Sequence, residues 1–233
     1  MQTKLVLFDL DGTLLPMEQD LFINTYFKKL AVKLAPYGYE PEALINAIYK
    51  GTGAMIKNTG EITNEDAFWK VFSGIYGEDK LKDKPVFDEF YKNEFQSVKE
   101  VCGFNEKAAE TVKELKKRGY RVALATNPVF PTIATESRIR WAGLEPEDFE
   151  YYTTYENSSY CKPATEYYLE ILSKLKVSPE ECIMIGNDVK DDMIAQSIGM
   201  EVFLLIDCII NKDNEDISHY LSGSFDDIFE VLK

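Results

Sequence analysis

Beyond Gly103, short apolar runs alternate with amphipathic helical stretches, and this constrains the chain more than any other feature. "EKAAETVKELKKRG" (Glu106–Gly119) sets Ala108, Val112 and Leu115 on one helical face and ends on glycine. "YRVALAT" (Tyr120–Thr126) reads as a strand, "TIATESRIRWAG" (Thr132–Gly143) as a helix, and "FEYYTTY" (Phe149–Tyr155) as a strand. The alternation goes on with a helix over "ATEYYLEILSKL" (Ala164–Leu175), a strand over "CIMIGN" (Cys182–Asn187) and a helix over "DDMIAQSIG" (Asp191–Gly199). It closes with a strand over "EVFLLI" (Glu201–Ile206) and a helix over "SFDDIFEVL" (Ser224–Leu232). Such alternation calls for crossover connections, hence a parallel sheet covered by helices on both faces.

One more apolar run, "KLVLFD" (Lys4–Asp9), precedes this pattern and reads as a buried strand. From Met17 to about Val98 only helical signals follow. "DLFINTYFKKLAVKL" (Asp20–Leu34) carries Leu21, Ile23 or Tyr26, Leu30 and Leu34 at helical spacing, and "PEALINAIYK" (Pro41–Lys50) opens on a proline suited to a first turn. "TNEDAFWKVFSGIYG" (Thr63–Gly77) has a capping Thr or Asn and a terminal glycine, and "KPVFDEFYKNEFQSV" (Lys84–Val98) is aromatic and amphipathic. The helical stretch therefore interrupts the first strand–helix crossover as an inserted bundle. The expected division is a core of residues 1–16 and 99–233 and a helical cap of 17–98, with hinges near Leu15–Glu18 and Ser97–Asn105.

In open parallel sheets, ligands bind beyond the carboxyl ends of the strands. Those ends deliver Asp9 and Asp11 beside Gly12 and Thr13, then Thr126 and Asn127, then Lys162 one loop further on, then Gly186, Asn187 and Asp188 with Asp192 one turn later. Carboxylates gathered so closely repel one another unless some are protonated or a cation sits among them. An all-oxygen donor set without histidine or cysteine suits a hard ion, and Mg²⁺ is the default choice. A carboxylate at Asp9 can attack phosphorus to form an aspartyl-phosphate, and Asp11, two residues on, can hand a proton to the leaving oxygen and later take one from water. Lys162, the Thr126 hydroxyl and loop N–H groups would neutralise the transferred group. Asn127 either binds phosphate or caps the next turn.

The formal net charge of −14, from 40 acids against 26 bases, repels nucleic acid and anionic membranes, so neither is an expected partner. An anionic substrate then needs local attraction. No CxxC pair or zinc-ligand spacing exists among Cys102, Cys161, Cys182, Cys208 and the single His219, which points to reduced thiols in a cytoplasmic protein. The N-terminal apolar run is too short for a signal peptide. "KGTGAMIKN" (Lys50–Asn58) reads as a Gly-rich loop that could bring Lys50 and Lys57 toward a substrate anion. Phe22, Tyr26, Phe68 and Trp69 read as core residues of the insert, Asp191 as exposed helix surface and His219 as surface.

These residues resemble the haloacid dehalogenase-like hydrolase superfamily. "DLDGT" (Asp9–Thr13) is similar to its DxDGT motif, "VALATN" to its strand ending in Thr or Ser at Thr126, "CKP" to its lysine motif at Lys162, and "GNDVKDD" to its acidic motif at Asp188 and Asp192. The four occur in order across nearly the whole chain. The resemblance implies a Rossmann-like core, Asp9 as nucleophile and Asp11 as acid/base. It also implies Mg²⁺ held by Asp9, the Asp11 backbone carbonyl and Asp188, with Asp192 supporting that set. The helical insert matches the superfamily's helical-cap subclass, with phosphoglycolate phosphatase-like and β-phosphoglucomutase-like enzymes. Asp11 argues against halide chemistry, because the dehalogenase branch lacks that acid. Pro16 and Met17 stand where many relatives carry an acid, which weakens any substrate inference from them. The expected activity is Mg²⁺-dependent hydrolysis of a small phosphorylated metabolite by a monomer or homodimer. The alternatives are a phosphomutase on the same scaffold and a non-catalytic binder.

Overall fold

A computed structural model describes residues 3–232. Five parallel strands form one sheet in the order β2-β1-β3-β4-β5: β1 (Leu5–Phe8), β2 (Arg121–Leu124), β3 (Cys182–Gly186), β4 (Glu201–Leu205) and β5 (Leu221–Gly223). The β1 strand lies inside the sheet, between β2 and β3, and is buried throughout, which is why its sequence is a continuous apolar run rather than an alternating one. Its side chains still alternate in direction. Val6 and Phe8 join the apolar cluster that contains Ala108, Val112 and Leu115, whereas Leu5 and Leu7 join the cluster that contains Tyr167, Tyr168 and Ile171. Helices α5 (Glu106–Lys117) and α7 (Thr165–Leu175) supply those partners, so both faces of the sheet are covered.

The stretch after β1 is helical: α1 (Gln19–Leu34), α2 (Pro41–Ile56), α3 (Asn64–Tyr76) and α4 (Lys84–Lys92). Glu18 caps α1 by accepting from the Asp20 and Leu21 N–H groups, and Thr63 caps α3 by accepting from Asp66 N–H. The buried stripe of α1 is Phe22, Tyr26, Leu30 and Leu34; Leu21, expected on that face, is 47% exposed. Aromatic rings fill the insert, and their cluster is continuous with the sheet face carrying Val6 and Phe8. The two chain segments that leave and rejoin the sheet run side by side. Met17 and Cys102 form an antiparallel bridge, and Gly103 N–H donates to Pro16 O at 2.7 Å.

Several expected elements differ. The Gly-rich 50–58 stretch is not a loop, because α2 runs on to Ile56; Gly51 is where α2 packs on α3, and a Cβ there would stand 2.5 Å from Phe68 Cδ2. The helix expected over 84–98 ends at Lys92, where Asn93 leaves helical geometry (φ −114°, ψ −81°), and continues as a 3₁₀ turn over Glu94–Val101. The expected strand at 149–155 lies along the free edge of β2 with irregular bonds, including Glu150 N–H to Val122 O and Leu124 N–H to Tyr151 O. Asn157 interrupts it: its Oδ1 accepts from Thr154 N–H and its Nδ2 donates to Tyr152 O, taking groups that a regular ladder would use. The 191–199 helix is a 3₁₀ turn over Met193–Ile198. The closing helix shrinks to α8 (Ile228–Val231), since Asp227 accepts from Ser224 N–H and closes a turn first.

Candidate active site at the carboxyl edge of the sheet

Asp9 follows directly on β1 and is anchored by its own N–H to Ile185 O at 2.9 Å, so the carboxylate emerges between β1 and β3. The chain then turns sharply through Gly12 at φ +88°, and a Cβ there would press to 2.4 Å from Asn187 Nδ2. Only glycine fits both the backbone and that contact. The turn brings Thr13 Oγ1 within 2.9 Å of Asn187 Oδ1 and 3.2 Å of Asp9 Oδ2. Asn187 Nδ2 in turn donates to Cys208 O at 2.6 Å, which ties the loop after β4 to the same edge.

Lys162 lies buried on this edge. Its ammonium donates to Asp9 Oδ1 at 2.8 Å and to Asp192 Oδ1 at 2.6 Å. Burial opposes its charge, yet the Asp192 and Asp9 carboxylates outweigh that and hold its pKa well above the usual lysine range. Asp192 also accepts from Asp188 N–H at 2.9 Å, so it fixes both the lysine and the turn carrying Asp188. Burial raises the Asp192 pKa against the pull of Lys162. Asp188 accepts from the Lys190 and Asp191 N–H groups through Oδ1.

Asp11 meets a partner that the reading of the sequence did not single out. Arg138, on α6 (Thr132–Trp141), is fully buried and its Nη1 donates to Asp11 Oδ2. The same guanidinium donates to Ala134 O and Thr135 Oγ1 at 3.3 Å each and stacks 4.5 Å from the Phe130 ring centroid. A signal was present in the sequence: Arg138 lies four residues after Ala134 and three before Trp141, a charge on an apolar helical stripe. Burial raises the Asp11 pKa while Arg138 opposes it, and the side chain keeps 22% exposure where it lines the pocket. Its other oxygen, Oδ1, is buried without a hydrogen-bond partner, as is Asn127 Oδ1.

A pocket of about 550 Å³ opens over these groups. It takes in Asp9, Asp11, Thr126, Asn127, Lys162, Asn187, Asp188 and Asp192, so the structure brings the expected catalytic, phosphate-binding and metal-binding residues to one pocket, with Gly12, Thr13 and Gly186 outside its lining. Thr126 is positioned through its carbonyl, which accepts from Thr153 Oγ1 and Tyr167 Oη. Met17 and Phe22 of the insert close one side. The stretch Ile210–Glu215 closes another, held by Val189 N–H to Ile210 O and Ile210 N–H to Asn187 O; no sequence pattern marked it. Asp191, read as helix surface, lines the pocket half-buried, and burial raises its pKa. Lys50 and Lys57 lie exposed on a separate concavity of α2, away from the carboxylates. Phe22, Tyr26, Phe68 and Trp69 are buried, and His219 is exposed.

No group of three or more acidic, histidine or cysteine side chains among the described residues converges tightly enough to chelate a metal unaided. Asp9 and Asp188 bring two carboxylates to this pocket. Such a partial, all-oxygen set fits Mg²⁺, which keeps several waters and shares substrate phosphate. The partnerless Asp11 and Asn127 oxygens are further acceptors at the same edge.

A family model described as haloacid dehalogenase-like hydrolase matches residues 3–199. Pyrophosphatase PpaX of Bacillus cereus (strain ATCC 10987 / NRS 248) is 28% identical over 199 residues, which cover 85% of this chain and 81% of PpaX. Among solved structures, a predicted phosphoglycolate phosphatase of Haemophilus somnus 129pt superposes with a TM-score of 0.60 at 20% identity, over 100% of this chain and 99% of that one. A 2-haloacid dehalogenase of Pseudomonas syringae pv. tomato DC3000 superposes with a TM-score of 0.61 at 18% identity, over 99% and 98%. The HAD-hydrolase YfnB of Bacillus subtilis, bound to magnesium, superposes with a TM-score of 0.58 at 17% identity, over 100% of both chains. At these identities the structural likenesses establish a shared α/β fold.

Proposed function

The chain belongs to the haloacid dehalogenase-like hydrolases, and from that premise we propose that it is a cytoplasmic, Mg²⁺-dependent phosphatase that hydrolyses small phosphate monoesters through an aspartyl-phosphate on Asp9. The observation that carries this reading is the pairing of Asp9 with Lys162 at 2.8 Å on the floor of a pocket that Asp11, two residues on, also lines. A carboxylate so placed is fixed in orientation and faces the pocket. The lysine beside it supplies positive charge where phosphoryl oxygens would gather, in a protein whose net charge would otherwise repel them.

Asp9 attacks phosphorus while Lys162, Thr126 and Asn127 bind the equatorial oxygens. Asp11 protonates the departing oxygen; burial, which raises its pKa, favours the protonated form needed for that step. It then accepts a proton from the water that opens the acyl phosphate. Mg²⁺, held by Asp9, Asp188 and the Asp11 carbonyl, would neutralise phosphoryl charge. Asp192 keeps Lys162 and the Asp188 turn in place. We take residues 17–98 as the cap and residues 1–16 with 99–233 as the catalytic core. The four unpaired cysteines accord with a reducing compartment.

Asp9→Asn keeps the shape and removes the nucleophile. Turnover of p-nitrophenyl phosphate should fall by at least ~1000-fold in that variant, and wild-type turnover should vanish on chelation of Mg²⁺. Retained turnover in Asp9→Asn would remove the nucleophile from the scheme.

A further inference from the structure

This inference rests on the phosphatase reading and concerns the group that the phosphate is attached to. Next to the carboxylate pocket lies a second cavity of about 110 Å³. Ile23, Val129 and Phe130 line both spaces, so the two adjoin across these three side chains. The remaining walls come mostly from the insert and are largely aromatic, with Tyr26, Phe27 and Trp69 among them. An apolar cavity of ~150 Å³ holds a benzene ring, so this smaller space suits at most a single ring or a short branched aliphatic chain.

The charges point the same way. No lysine or arginine lines the second cavity, and its one charged lining residue is the exposed Asp88. Within the carboxylate pocket Lys162 is already shared between Asp9 and Asp192, and Arg138 behind it is paired with Asp11. Lys190 and Lys212 are exposed at the mouth, where Asp191, Asp213 and Glu215 also stand. Lys190 pairs with Asp213 at 3.8 Å and Lys212 stands in solvent, so neither is a buried cation dedicated to a second phosphate or a carboxylate on the substrate. One polar group points to an occupant: the buried Trp69 indole N–H has no hydrogen-bonded acceptor, although the Tyr155 hydroxyl lies near it. A neutral acceptor on a bound ring would satisfy it.

We propose that the substrate is a phosphate monoester of a neutral aromatic or branched aliphatic alcohol, whose organic group occupies this cavity, rather than pyrophosphate or phosphoglycolate. The test starts with ligands that cannot be hydrolysed. Titration calorimetry of the wild-type protein in Mg²⁺ should show phenylphosphonate binding at least tenfold more tightly than methylphosphonate. Thr52→Phe, which puts a ring into the cavity from the half-buried face of α2, should shrink that ratio toward one. Equal affinity of the two phosphonates for the wild type overturns the proposal. In turnover, kcat/KM for phenyl phosphate should exceed that for pyrophosphate and phosphoglycolate by at least tenfold, and the reverse order overturns it as well. A phenyl preference in binding with no turnover of any ester would support the cavity assignment and overturn the phosphatase reading beneath it.

Discussion

Arg138 shows how much of a site can hang on one side chain that carries no motif. It is buried, charged, and bonded to the acid that the mechanism needs in two protonation roles. Replacement by Met keeps the aliphatic stem and removes the cation. Asp11 then loses the group that sets its direction, while Asp9, Lys162 and Thr126 keep their own anchors. For Arg138→Met we expect kcat to fall roughly 10- to 100-fold, the scale of a misplaced catalytic group, with KM little changed. The loss should be non-additive with Asp11→Asn, since both changes remove one function, and a double-mutant cycle on kcat would read that directly. Additive losses would separate Arg138 from Asp11. The carboxylates and Lys162 were legible from the sequence because each directly follows an apolar run or sits in a short, ordered pattern. Arg138 was not, because its meaning lies in a contact 127 positions away along the chain. The Ile210–Glu215 wall was illegible for the same reason: its placement comes from backbone bonds to Asn187 and Val189, which no side chain announces.

Among the elements, those legible in the sequence were the ones whose burial writes a period into the chain. The β1 strand, buried on both faces, is four apolar residues in a row, and α5 shows its stripe at Ala108, Val112 and Leu115. The β5 strand, "LSG" at the sheet edge, has an exposed first pair and no apolar run; the open side of β4 makes it a strand. Local composition also misled at Gly51 and Gly53, where glycine suggested a loop; both lie within α2, and Gly51 serves close packing while Gly53 faces open space. That explanation has a measurable consequence. A side chain at position 51 must enter the space of the Phe68 ring, which stacks on Phe72 at a centroid distance of 5.8 Å, so it disturbs that stacking or pushes the ring toward the cavity it lines. Gly51→Val should therefore lower stability by ~1–3 kcal/mol through overpacking, although most residues favour a helix more than glycine does. Urea denaturation followed by circular dichroism checks the sign; a more stable variant would mean that the α2–α3 contact yields easily.

For the molecule as a whole, the question is how firmly the helical insert is held to the sheet that carries the carboxylates. The chain crosses between them at Pro16–Met17 and Cys102–Gly103, and those crossings bond to each other. A second tie lies at the start of α3. Asn64 is fully buried; its Nδ2 is within bonding distance of Pro128 O at 3.3 Å and Tyr160 O at 3.2 Å, and its Oδ1 accepts from Asn58 Nδ2 at 2.9 Å. Two backbone bonds reinforce it, Asn64 N–H to Ser158 O and Glu65 N–H to Tyr155 O. Tyr160 is two residues from Lys162, so this tie links the position of the insert to the loop that delivers the lysine to Asp9. Asn64→Leu preserves bulk and the backbone bonds but leaves the carbonyls of Pro128 and Tyr160 without this donor, while the Asn58 amide keeps its bond to Ile62 O. Each buried polar group so stranded costs ~1–3 kcal/mol. A loss of at least ~2 kcal/mol in urea denaturation is expected, along with faster proteolytic cleavage in the 97–105 crossing as the insert swings more freely. Because the Lys162 loop is bonded to the same asparagine, kcat on p-nitrophenyl phosphate should fall as well. A variant that loses stability yet keeps both kcat and protease resistance would show that Asn64 supports the local fold without coupling the insert to the reacting edge.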